Sequence, residues 1–158
     1  MRALFHAALP GLALVLAAST AYAQQTLPEG FFGQFRGKLA VDDGTAEGDF
    51  TVVIRRTGRG FAVSWPPRIS ETFEPAGRPN VFKSVADGRI LEGDPFYWAR
   101  LDGKTLIVYA ALIGEHGGYR IDNYTYTVSA SDLDLVVRQV VSGAEPRTSK
   151  GRLERYGQ

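Results

Sequence analysis

Beyond residue 30 the chain alternates apolar with polar side chains at period two, or passes through short β-branched and aromatic runs bounded by Gly, Asp, Pro or Ser. Successive side chains of a strand point to opposite faces, so this pattern predicts half-buried strands, and no stretch carries the periodicity of an amphipathic helix. The first predicted strand, residues 31–41, closes on Asp42-Asp43-Gly44. Phe50, Val52 and Ile54 share one face of the next, and Thr51, Val53 and Arg55 share the other. Thr57-Gly58-Arg59-Gly60 then turns the chain into Phe61, Val63 and Trp65, which predicts a hairpin. Pro66-Pro67 offers no backbone N–H and ends pairing there.

Shorter strands at 69–73 and 81–85 flank a loop rich in Pro and Gly. Asp102-Gly103 is a hairpin signal joining residues 96–101 to 105–113, and the second of these runs is apolar on both faces. Such a strand is covered on both sides or lends its outer face to a partner. The loop 114–118 leads to 119–128, a turn at 129–132 leads to 133–141, and a final strand spans 147–156. Consecutive hairpins at this spacing predict an all-β fold, an antiparallel up-and-down β-barrel of about 8–10 strands, because closing the sheet removes its unpaired edges.

Composition places the chain among ordinary globular proteins: 158 residues, 44% hydrophobic and 22% charged. Residues 1–23 read as a cleaved export signal, with Arg2 at the start, an apolar run over 7–18 and the small-x-small site Ala21-Tyr22-Ala23. The run falls short of the roughly 20 apolar residues that span a bilayer, so no membrane span is expected. The mature chain, 24–158, is expected to form a single β-barrel domain that is periplasmic or secreted. Cysteine is absent, which excludes disulfides, thiolate metal sites, a thiol nucleophile and a lipid-anchor cysteine. Eighteen Lys and Arg balance seventeen Asp and Glu, and Arg2 leaves with the signal. A neutral chain lacks the basic excess that drives nucleic-acid binding.

Little catalytic chemistry is on offer. Beyond residue 23 the one histidine is His116, in Gly114-Glu115-His116-Gly117-Gly118, and a triad with Ser129, Ser131 or Ser142 and Asp122 or Asp132 has no nucleophile-elbow motif behind it. Asp42/Asp43, Glu47/Asp49, Glu71/Glu74 and Asp132/Asp134 lie in or beside turns, where acids favour the turn and stay in water. His-x-His and His-Glu-x-x-His spacings do not occur. The expectation is a protein without catalytic residues, metal or cofactor.

Aromatic and arginine residues carry the remaining signal. Phe96, Trp98 and Arg100 share a strand face, as do Arg120, Asp122, Tyr124 and Tyr126, and Arg138 lies with Val136 and Val140. Pointing outward, these faces are wet surface. Pointing inward, they make an aromatic pocket in which Trp65, Trp98, Tyr109, Tyr124 and Tyr126 cover a ligand's body and Arg100, Arg120 and Arg138 pair with its acid group. The inward reading is an exported non-enzymatic protein, a monomer or weak homodimer, that holds a small apolar or amphipathic ligand in the barrel. The alternative is a cell-envelope structural or protein-interaction module with a side-chain-filled barrel, using the outer face of 106–113.

The stretch Gly30-Phe31-Phe32-Gly33-Gln34-Phe35-Arg36-Gly37 resembles the Gly-x-Trp-x-Gly opening of the calycins, the superfamily of lipocalins and fatty-acid-binding proteins. A meander and a basic last strand, Arg152-Leu153-Glu154-Arg155, follow as they do there. In that superfamily the tryptophan closes the barrel base and stacks with an arginine of the last strand. The resemblance implies that Phe35 stands in the tryptophan's place and Arg152 or Arg155 in the arginine's.

Overall fold

The alternation resolves into ten strands, each hydrogen-bonded to its neighbours in sequence, and the first closes on the last to complete an antiparallel up-and-down barrel. A computed structural model describes residues 26–42, 46–67 and 69–157; the export signal expected at 1–23 lies outside them. The strands are β1 (Gly33–Val41), β2 (Ala46–Arg56), β3 (Phe61–Trp65), β4 (Ile69–Pro75) and β5 (Val81–Ser84), followed by β6 (Phe96–Asp102), β7 (Thr105–Ile113), β8 (Tyr119–Ser129), β9 (Asp132–Val141) and β10 (Arg147–Gly157). Two single turns of 3-10 helix, Glu29–Phe31 and Ile90–Glu92, are the helical content of the described residues, none of it long enough to cross a membrane.

The chain enters later than its pattern predicts. Residues 29–31 are not strand; they form the first 3-10 turn, with Phe31 N–H donating to the Pro28 carbonyl at 3.1 Å, and Phe31 is fully buried. An aromatic residue at the head of a strand-like run has here become a plug beneath the barrel.

Register decides which face each side chain occupies. On β8 and β9, Tyr126 opposes Leu135, Tyr124 opposes Val137 and Asp122 opposes Gln139, all on the inner face. On β6 the buried residues are Tyr97, Ala99 and Leu101, which turns Phe96, Trp98 and Arg100 outward. Trp98 pairs with Tyr109 across the β6–β7 ladder, and Arg138 pairs with Asn123 on the outside of β8 and β9. The inward assignment of Trp98, Arg100, Tyr109 and Arg138 is therefore corrected. Alternation identifies which residues share a face, but the choice of inner face belongs to the whole ring: Ala99 is small and fully buried between Phe82 and Val108, where a tryptophan would not fit. Trp98 stacks on Tyr109 outside, with centroids 4.8 Å apart and 5° between planes.

The barrel has two unlike ends. Chain termini and the turns β2–β3, β4–β5, β6–β7 and β8–β9 gather at one, and the remaining five turns at the other. Phe31, Phe35, Phe61, Phe73, Phe82 and Leu153 fill the first end. Phe61 stacks on Phe73 at 5.1 Å and meets Phe82 edge-on at 5.0 Å. Arg155, inward-facing on β10, lies over the Phe35 ring at 4.5 Å and donates to the carbonyls of Gly30, Phe32 and Ser131. Arg152 faces out instead and reaches Asp132 at 3.3 Å. Of Arg152 and Arg155, the geometry puts Arg155 against Phe35.

Candidate functional site at the open end of the barrel

With one end packed by phenylalanines, unfilled interior is left at the other. There β3 ends in Trp65, β2 contributes Phe50, β6 begins with inward Tyr97, and β8 brings Tyr124. These four rings wall a cavity of about 310 Å³, whose rim includes Ile69, Pro95 and Leu112. Trp65 lies 6.3 Å from Tyr97 and 5.3 Å from Tyr124, while Phe50 lies 6.5 Å from Tyr124. Tyr126 lies behind the lining: it is fully buried and its hydroxyl accepts the Trp65 indole N–H at 2.8 Å. That bond fixes the indole in the cavity wall, since an indole N–H withdrawn from water requires an acceptor.

One charged pair sits in this wall. Arg120 Nε donates to both carboxylate oxygens of Asp122, at 3.0 and 2.8 Å, and Gln139 Nε2 donates to Oδ1 at 3.1 Å. Asp122 is buried, whereas the Arg120 side chain is 49% exposed, so the pair runs from the interior to the water at the mouth. The hydrogen bond that Arg120 donates to Asp122 holds it more firmly protonated than an ordinary arginine, against the opposing pull of burial. Burial foremost, then the charges of Glu71 and Asp122, pushes the Tyr97 phenol up from its ordinary value. Tyr126 is pushed up further, again by burial. Both phenols are therefore neutral donors and acceptors at physiological pH. A second space of about 190 Å³ adjoins through Phe50, Arg120 and Tyr124, which line both.

Of the residues expected to bind a ligand, Trp65, Arg120 and Tyr124 line this cavity and Tyr126 underlies it. Trp98, Arg100, Tyr109 and Arg138 are outside, as described above. Phe50, Tyr97 and Asp122 complete the site although sequence alone did not single them out as ligand contacts. Phe50 and Tyr97 sit in ordinary alternating strands, and nothing local distinguishes them from core residues. Asp122 was legible as a neighbour of Arg120 on its face, and its value as a buried anchor appears only once that face turns inward.

A larger depression of about 620 Å³ lies outside the packed end, beside Phe32, Arg55, Arg56 and Arg155. Two of its three arginines are engaged: Arg56 pairs with Glu29 and lies over the Phe32 ring, and Arg155 is spent on backbone carbonyls. His116 is exposed on the β7–β8 turn at the open end, whereas Ser129, Ser131 and Asp132 lie at the packed end, and Asp122 is committed to Arg120 and Gln139. Among the described residues no three His, Cys, Asp or Glu side chains gather to hold a metal ion.

Fold and site together define the class: a closed ten-stranded antiparallel barrel with one packed end and an aromatic-walled cavity at the other. Comparison with known proteins finds no family model, no curated protein and no solved structure that matches this chain.

Proposed function

We propose that this is an exported, non-enzymatic binding protein that holds a small amphipathic molecule in the open end of its barrel. The observation that carries the reading is the cavity of about 310 Å³, walled by Phe50, Trp65, Tyr97 and Tyr124 and crossed by a single ion pair. Apolar walls with few, fixed polar groups are the usual construction of a small-ligand site. The ligand's apolar body lies against the rings, and its polar end meets Arg120 at the mouth. Export rests on the signal pattern of residues 1–23. Arg155 over Phe35 at the packed end is in keeping with the calycin resemblance, a relation proposed here on that motif and that contact.

Native mass spectrometry of the protein taken gently from its own compartment, compared with a denatured sample, tests the reading. A small-molecule adduct lost on denaturation is the expected result. In titrations followed by tryptophan emission in a Trp98→Phe background, Arg120→Met is expected to weaken a carboxylate ligand roughly tenfold while sparing its alcohol analogue, since a charge-assisted bond is lost. A clean apo mass with no uptake of fatty acids, isoprenoids or aromatic acids would sink the proposal and favour the filled-barrel interaction module.

A further inference from the structure

Large apolar side chains are exposed unevenly over this barrel. Ile69 begins β4, Val85, Leu91 and Phe96 belong to the β5–β6 connection and its exit, and Leu112, Tyr119 and Ile121 flank the β7–β8 turn. All seven are at the open end, and Tyr156 is the only other exposed large hydrophobic among the described residues. Because strands follow one another round the ring, the three connections are neighbours and form one continuous half of the rim. The other half, formed by the β1–β2 and β9–β10 turns, presents Asp42, Gly143, Glu145 and Arg147 instead.

Leu91 is the extreme case at 85% exposure, and its presentation is organised. It sits in the 3-10 turn Ile90–Glu92, which Arg89 braces by pairing with Glu92 at 2.6 Å and Asp94 at 3.6 Å. The left-handed Gly93 then returns the chain toward β6. A leucine held out in this way has no core to serve.

We propose that this half of the rim docks on an electrically neutral lipid surface by inserting Leu91, Val85 and Tyr119. Three observations select that occupant. The inserted groups stand on two connections, Val85 and Leu91 on β5–β6 and Tyr119 beside the β7–β8 turn, an arrangement that a fluid phase accommodates without a matching relief. They border the cavity mouth at Ile69 and Leu112, so lipid seated on them opens onto the cavity, whereas a protein seated there would cap it. The β5–β6 and β7–β8 connections carry Asp87, Glu92, Asp94 and Glu115 against Arg89, an acidic excess that gives anionic headgroups nothing to bind. Docking stands on its own observations, and the passage of an amphipathic ligand between lipid and cavity rests on the function proposed above.

The test uses the full chain with phosphatidylcholine vesicles whose acyl chains are brominated. Leu91→Trp is expected to be quenched beyond the unsubstituted chain, and Tyr156→Trp, at the packed end, is not. The paired change Leu91→Ser and Val85→Ser is expected to weaken vesicle partitioning roughly tenfold, with binding of the unsubstituted chain unchanged by added salt, because the contact is apolar. Every variant carries the same residues 1–25, so differences between them report the rim. No added quenching at position 91, equal quenching at 156, or binding that requires anionic lipid and disappears in salt would overturn the proposal. A dimer that Leu91→Ser makes monomeric, without quenching, would overturn it in favour of a second copy as occupant. The amphipathic anion anilinonaphthalene sulfonate, offered without vesicles to the Leu91→Ser and Val85→Ser variant, tests the cavity separately from the rim. Uptake without docking defeats only the docking, and docking without uptake defeats only the ligand reading.

Discussion

Two side chains show how single groups decide the character of each end. Arg155 spends its guanidinium on three backbone carbonyls and the Phe35 face, tying the 3-10 plug to the last strand. Its own backbone N–H is the main reason that Asp132 is held below the usual carboxylate range. Arg155→Ala is expected to cost about 3 kcal/mol in urea unfolding, and Lys in its place to recover little, because an ammonium cannot span the same acceptors. Gly33 belongs to this arrangement: its φ is +146°, and a β-carbon there would strike the Arg155 guanidinium. At the open end, Tyr126→Phe removes the acceptor of the Trp65 indole, with an expected loss of about 1–2 kcal/mol and a shift in Trp65 emission.

The same tyrosines give a signed pH dependence. Tyr97 and Tyr126 have pKa values above the ordinary 10.0 in the folded protein, so folding favours their neutral forms. Their contribution to stability is whole below about pH 10 and is lost as alkalinity ionises them in the unfolded chain first. Tyrosinate absorbance during alkaline titration is expected to show Tyr126 ionising only with cooperative unfolding and Tyr97 ionising later than an exposed tyrosine; ionisation of Tyr126 in a still-folded protein would contradict its burial.

At the scale of elements, the seam between β1 and β10 does the closing, and glycines make it possible. Gly37 and Gly151 face inward across that seam, where a β-carbon on Gly37 would run into the Arg152 carbonyl and one on Gly151 into the Lys38 carbonyl. Gly151→Ala is expected to lower stability by about 2 kcal/mol, read from thermal unfolding, since added atoms here have no space and meet backbone. Gly58→Ala, which has open space around it, serves as the control and is expected to stay within about 0.5 kcal/mol. The opposite wall is the thin one: β5 spans only Val81–Ser84, with three paired positions toward β4 and three toward β6. Few ladder bonds mean low opening energy, so native-state hydrogen exchange is expected to release β5 amides before those of β8 and β9.

For the whole molecule, closure through the last strand joins the two ends of the chain, and the barrel is incomplete until β10 arrives. Truncation before Arg147 would leave β1 and β9 as long bare edges, and the expected outcome is aggregation, measured by light scattering, instead of a smaller folded domain. The division of labour along the barrel axis follows from the same closure. Phenylalanines and the 3-10 plug fill one end, so the aromatic-walled cavity of about 310 Å³, and with it the proposed ligand site, falls to the other.

Much of the architecture was legible because period-two alternation and turn residues are local signals. They located all ten strands, including the weak ones at Ile69–Pro75 and Val81–Ser84, and the consecutive hairpins predicted the up-and-down closure observed. They also grouped Phe96 with Trp98 and Arg100, and Arg120 with Asp122, Tyr124 and Tyr126, onto common faces. What alternation does not carry is the sign of a face. Both faces of β6 carry aromatic residues, and the ring selected the one with Ala99 and Leu101 because their volumes fit an interior already crowded by Phe82 and Val108. That choice moved Trp98, Arg100, Tyr109 and Arg138 outside and brought Phe50, Tyr97 and Asp122 into the site. Sequence alone determined the strands, their order and the residues each face holds in common; the tertiary structure decided which faces look inward and which end stays open, because both depend on packing volumes summed around a closed ring.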